Sequence, residues 1–130
     1  MKKIKSFLAL GLVLAFATSC GDQHKAQSLV KDFLNENLEQ TDCSYERFSK
    51  LTPTAMINQD GVKAMRQHMS QMPYVKKGIN YQDGATTLPD TLLYIRATYK
   101  LIDKGGKEQE LTQTFYMDKA LTRIIAFKEN

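Results

Sequence analysis

The chain is poor in the residues that catalytic and metal sites are most often built from. Its 130 residues include two histidines and two cysteines. G-x-S-x-G, H-E-x-x-H, C-x-x-C and a Gly-rich phosphate loop are all missing, which removes the hydrolase, zincin, thioredoxin-like and nucleotide-binding patterns. Gly105-Gly106 is a turn pair with no following helix to present its amides to a phosphate. No catalytic residue is assigned, and no cofactor is expected. Long apolar runs are lacking too. Phe7 to Ala17 is an apolar stretch interrupted only by Gly11. As a helix it would be about 16 Å long, short of the roughly 30 Å that a bilayer core demands. Excess charge is the last absence. The formal +4 depends on Lys2, Lys3 and Lys5, and beyond residue 19 fifteen basic side chains face fourteen acidic ones, a net +1. Phosphate backbones are bound by clustered cations, so nucleic acid is not an expected partner. The densest pairs, Lys76-Lys77 and Lys104 with Lys107, suit solvated loops.

What is present begins with the first twenty residues, MKKIKSFLALGLVLAFATSC. Three lysines followed by a short apolar segment make a secretory signal. Ala17-Thr18-Ser19-Cys20 resembles the lipobox of bacterial lipoproteins, departing from it at Ala17, where leucine is commonest. The resemblance implies cleavage before Cys20 and acylation of its sulfur. Two or three acyl chains anchor stably where one would not, at about 0.8 kcal/mol per buried methylene. Gly21 after the cysteine resembles the outer-membrane sorting signal of enteric bacteria, with the leaflet left open. The expected organisation is a signal peptide over 1–19, a lipidated leash over 20–25 and one domain over 26–130. Cys43 is then alone, so the lipidated form has no internal disulfide. Its position suits a small residue at a helix start, with a reactive thiol as the alternative.

After the leash, Ala26, Leu29, Val30, Phe33, Leu34 and Leu38 fall on one helical face, opposite Lys31, Asp32, Asn35, Glu36 and Glu39. Asp22 is the expected N-cap. Gln40-Thr41-Asp42 makes a turn. Tyr45, Phe48 and Leu51 recur every third residue, which suits a short helix, with a strand as the alternative. Val62, Met65, Met69 and Met72 form another helical stripe that Pro73 stops. Gly78, Gly84 and Pro89 punctuate a stretch able to hold one strand around Ile79 to Asp83. Thr91 to Ile102 alternates, with Leu93, Ile95, Ala97, Tyr99 and Leu101 on the more apolar face. Asp103 to Lys107 reads as a hairpin turn. Glu110 to Asp118 alternates, with Leu111, Gln113, Phe115 and Met117 together, and Leu121 to Lys128 is the last strand.

These elements predict an α+β domain, with N-terminal helices on one face of a three- or four-stranded antiparallel meander. Their order resembles the cystatin-like and nuclear-transport-factor-2-like superfold. The stretch VKDFLNENLEQTDCSYERFSKLTP is similar to the opening of small bacterial lipoproteins with that fold. The resemblance spans about Ala26 to Phe127 and implies no particular activity, since the superfold hosts enzymes, pocket binders and interaction modules.

Two candidate sites follow. A helix across a curved sheet can leave a cavity at its open end. Asp90, Tyr94, Arg96, Tyr99 and Tyr116 are the residues nearest such a cavity, although Tyr99 belongs to one face and Tyr94 and Arg96 to the other. Asp90 would supply a carboxyl group to an enzymatic version, and a turn residue is its plainer role. Met65, Met69 and Met72 with His68 make a soft-metal constellation in principle, and the same methionines continue a core stripe. The expected setting is the bacterial cell envelope, lipid-anchored at the outer membrane. The expected partners are the membrane itself and an envelope protein.

Overall fold

A computed structural model describes residues 20–39, 42–84 and 88–130. The expected signal segment 1–19 and the Gln40-Thr41 part of the expected turn lie outside the described residues. Helix α1, Cys20–Asn37, is followed by strands β1 (Cys43–Phe48) and β2 (Thr52–Thr54), then helix α2 (Gln59–Ser70). Three longer strands complete the chain: β3 (Leu92–Ile102), β4 (Glu108–Met117) and β5 (Ile124–Glu129). All pairings are antiparallel, in the order β1-β3-β4-β5, with β2 also on β3. The class is α+β, with five strands where the alternation alone marked the last three.

The stripe of α1 is its buried face: Ala26, Val30, Leu34 and Leu38 are fully inaccessible, while Lys31, Asp32, Asn35 and Glu36 face solvent. Residues 20–25 are not a leash. They are the opening turns of α1, and Asp22 lies inside the first turn rather than capping it, where its charge favours the helix dipole. The physical cause is a clamp. Gln23 Nε2 donates to Ser49 O at 2.9 Å, and its Oε1 accepts from Leu51 N at 2.8 Å. These bonds fix the first turn against the junction of β1 and β2.

The segment expected to be a short helix is strand β1. Its register on β3 slips between Tyr45, opposite Tyr99, and Arg47, opposite Thr98. A bulge adds one residue to a strand's period of two, so Tyr45 and Phe48, three apart, reach the same face. Their rings stack with centroids 6.0 Å apart. The bulge therefore copies a helical spacing.

Strands β3 and β4 pair continuously from Leu93 with Met117 to Ile102 with Glu108. The turn between them is closed by Asp103, whose Oδ1 accepts from Gly105 N and Lys107 N, and Gly106 takes φ +82°. Between β4 and β5, Asp118 accepts from Thr122 N and Oγ1 and from Arg123 N. In that turn Leu121 adopts φ +56°, a conformation costly for a bulky residue. Its side chain is buried in the core, and burial of that kind offsets about 1.5–3 kcal/mol.

The sheet is apolar on both faces. Under α1 lie Ile95, Ala97, Tyr99, Phe115 and Phe127. The other face carries a smaller cluster of Leu92, Tyr116, Ile125 and Ala126 beneath Val62. Helix α2, capped by Asn58 through Gly61 N, thus straddles the β5 edge rather than sharing the face of α1. Arg66 Nε donates to Ile125 O at 2.8 Å and occupies a backbone acceptor on that edge, one way of covering an exposed strand.

No strand forms over Ile79 to Asp83. Gly78, Gln82 and Gly84 all take positive φ, which breaks an extended run. Residues 71–84 instead form a strap. It joins α1 through Glu39 N to Tyr74 O and Lys76 N to Asn37 O, both 2.9 Å, and packs Val75, Ile79 and Tyr81 against the main core.

Candidate functional site

Where α1 ends, the strap and the β3–β4 hairpin leave a cleft of about 560 Å³. Glu39, Pro73, Tyr74, Leu101, Asp103 and Glu108 are among the residues that line it. Tyr74 connects this cleft to the middle of the sheet. Tyr99 Oη donates to Gln113 Oε1 at 2.8 Å, and Gln113 Nε2 donates to Tyr74 Oη at 3.1 Å. Tyr74 Oη in turn donates to Glu129 Oε2. Tyr99 and Gln113 are wholly inaccessible to solvent. Each donor points toward the carboxylate, so the bonds polarise one another along the chain.

Burial pushes the Tyr99 hydroxyl well above its ordinary value. Burial also raises Tyr74, as do its hydrogen bond to Glu129 and that group's charge. Both phenols therefore stay protonated near neutral pH. They can donate hydrogen bonds, and neither can serve as a base. Among the described residues no three His, Cys, Asp or Glu side chains gather as a metal site.

A second polar cluster holds the far end of the strap. Asp83 takes bonds from Arg66 Nη1 at 2.7 Å and Nη2 at 2.9 Å, and from Arg123 Nη1 at 2.7 Å. The hydrogen bond from Arg66 is the foremost cause that holds the Asp83 carboxyl below its usual range, and the two positive charges add to it. The Arg66 guanidinium carbon lies 4.1 Å from the centroid of the Tyr81 ring. Burial pushes the Tyr81 hydroxyl up to about 12 against the opposing charge of Arg66. Two smaller hollows, of about 130 and 250 Å³, flank Arg123.

The residues singled out from sequence are dispersed. Tyr99 lies under α1 in the main core. Tyr94 and Tyr116 are neighbours on the opposite face, with ring centroids 6.1 Å apart. Arg96 is exposed on β3, and Asp90 is exposed just before it. These five do not surround one cavity. The methionine stripe is divided as well: Met65 packs with the smaller cluster, Met69 and Met72 with the larger, and His68 faces solvent. Cys43 is half-buried in β1, not at a helix start, and burial pushes its thiol up. Its thiol is not activated as a nucleophile.

Tyr74, Glu129, Arg66, Asp83 and Arg123 were not legible as partners. Gln113 carried one signal, a polar side chain on the apolar side of an alternating strand. A buried amide there has to find hydrogen bonds.

Among the described residues no helix is long and apolar enough to cross a membrane. Compared with family models, curated proteins and solved structures, the chain matches none of them.

Proposed function

We propose that the chain is a bacterial envelope lipoprotein, tethered through acylated Cys20, whose α+β domain is a non-enzymatic binding or interaction module of the cystatin-like and nuclear-transport-factor-2-like type. One observation carries the second half of this reading: aromatic rings pack the centre of the layer between α1 and the sheet. The Phe33 ring meets Phe127 at 5.1 Å and Phe115 at 6.3 Å, while Phe115 and Phe127 stack at 5.4 Å. Packing of this kind at the centre favours work through the surface. The lipobox at Ala17 to Cys20 supports the first half.

The test has two arms. Cys20→Ala should move the protein from the membrane fraction to the soluble one, and continued membrane association would count against the tether. Pull-down from detergent-solubilised envelope should then recover a stoichiometric protein partner. A small-molecule reading is favoured by the cleft beside Tyr74. It replaces the interaction module if native protein carries a ligand that Tyr74→Phe releases.

A further inference from the structure

We infer that the domain stands end-on upon the bilayer, with the turn Asp118 to Leu121 and the chain around Met56 against the headgroups and the cleft facing away. This stance rests on the acylation of Cys20 proposed above and adds what that reading leaves open, namely which surface meets the lipid.

The argument starts from the missing leash. Helix α1 begins at Cys20 itself, and Gln23, within its first turn, is bonded to Ser49 and Leu51. An acyl group on Cys20 therefore pulls on a fixed lever rather than a loose tether. One and a half turns beyond Cys20, Lys25 Nζ reaches to 3.5 Å from Ala120 O, so the first turns of α1 lie at the same end of the domain as the β4–β5 turn. The sheet brings a second segment to the same end. Thr54 is opposite Leu92, the first residue of β3, and Leu93 is opposite Met117, the last of β4. Met56 lies two residues beyond Thr54, and among the described residues it is the exposed large hydrophobic side chain, at 88% accessibility. A bilayer interface accepts such a side chain at little cost.

Lys25, Lys50 and Lys119 are exposed in these same segments, but so is Asp90, with Asp22 and Asp118 half-exposed. The charges balance, so the stance does not require anionic lipid. The cleft is at the opposite end of α1, about 27 Å away along 18 helical residues.

The test uses acylated full-length chain extracted from membranes and reconstituted in phosphatidylcholine vesicles. A fluorophore is placed at Met56→Cys or, on the hairpin tip, at Lys104→Cys. Both are made in a Cys43→Ser background and repeated with Cys43 retained, should the serine disturb the fold. Lipid-borne quenchers should quench the label at position 56 several-fold more than the label at 104. A flexible Gly-Ser insertion after Gly21 should erase that difference. Equal quenching at both positions, in protein whose mass shows acyl chains and which floats with vesicles, overturns the stance alone. Protein without acyl mass that fails to float overturns the tether and the stance together.

Discussion

The two ends of α1 are fastened by different chemistry. At the start, Gln23 grips backbone groups of the β1–β2 junction, and Lys25 lies over the β4–β5 turn. At the far end the strap holds it by backbone bonds, Glu39 N to Tyr74 O and Lys76 N to Asn37 O. Tyr74 is itself tied through side chains, by way of Gln113 to Tyr99 at the centre of the sheet and directly to Glu129. The first arrangement is partly wet, so losing it exchanges protein bonds for water. The second is dry at Tyr99 and Gln113, so a partner lost there strands a group that water cannot reach. An unmet buried donor costs about 1–3 kcal/mol, more than a typical solvated bond contributes. The far end should therefore be the more fragile of the two, and the start the more tolerant.

The largest expected effect is at the dry end. Gln113→Leu keeps the volume but leaves the Tyr99 hydroxyl without its acceptor, and should lower unfolding stability by about 2–3 kcal/mol in urea titrations. Gln23→Ala should cost about 1 kcal/mol by the same measurement. If it costs as much as Gln113→Leu, the contrast between wet and dry ends fails.

Asp83→Asn tests the strap's other tie. Its carboxylate is nearly half exposed, so after discounting for solvent screening the loss should be about 1 kcal/mol or less. The pH dependence has opposite signs at the two ties. The folded-state pKa of Asp83 is lowered, so its contribution is present above the unfolded value of about 3.9 and fades as pH falls through the folded one. Tyr74 and Tyr99 are raised, so their contribution is full below about pH 10 and fades as pH rises toward their folded values. Asp83→Asn should flatten the acid limb of a stability profile and leave the alkaline limb unchanged. The smallest effect belongs to Cys20→Ala, which should leave the melting temperature of the domain unchanged while abolishing its membrane association.

Local periodicity made part of this molecule legible. The α1 stripe, the Val62 to Met69 stripe of α2 and the β3–β4 hairpin repeat at 3.6 or 2 residues. Burial follows the repeat in the helices, while Gln113 to Met117 of β4 are all buried because both faces of the sheet are covered. Where the period was disturbed, the reading failed. The bulge in β1 spaced Tyr45 and Phe48 like a helix. Positive φ at Gly78, Gln82 and Gly84 turned an apparent strand into a strap. Residues 20–25 looked like a polar leash because the groups that fix them, Ser49 and Leu51, are distant in sequence. The same reason hid the polar chain. Of its four members only Gln113 was out of place locally, and its partners come from the strap, β3 and β5.

The proposed acylation of Cys20 is the premise from which the placement of the domain, the unpaired state of Cys43 and the lipid-facing end all follow. Intact and N-terminal peptide mass spectrometry of protein purified from native membranes tests it directly. The expected result is a mature chain that begins at Cys20 and carries the mass of a diacylglyceryl group. An unacylated amino terminus upstream of Cys20 would contradict the account.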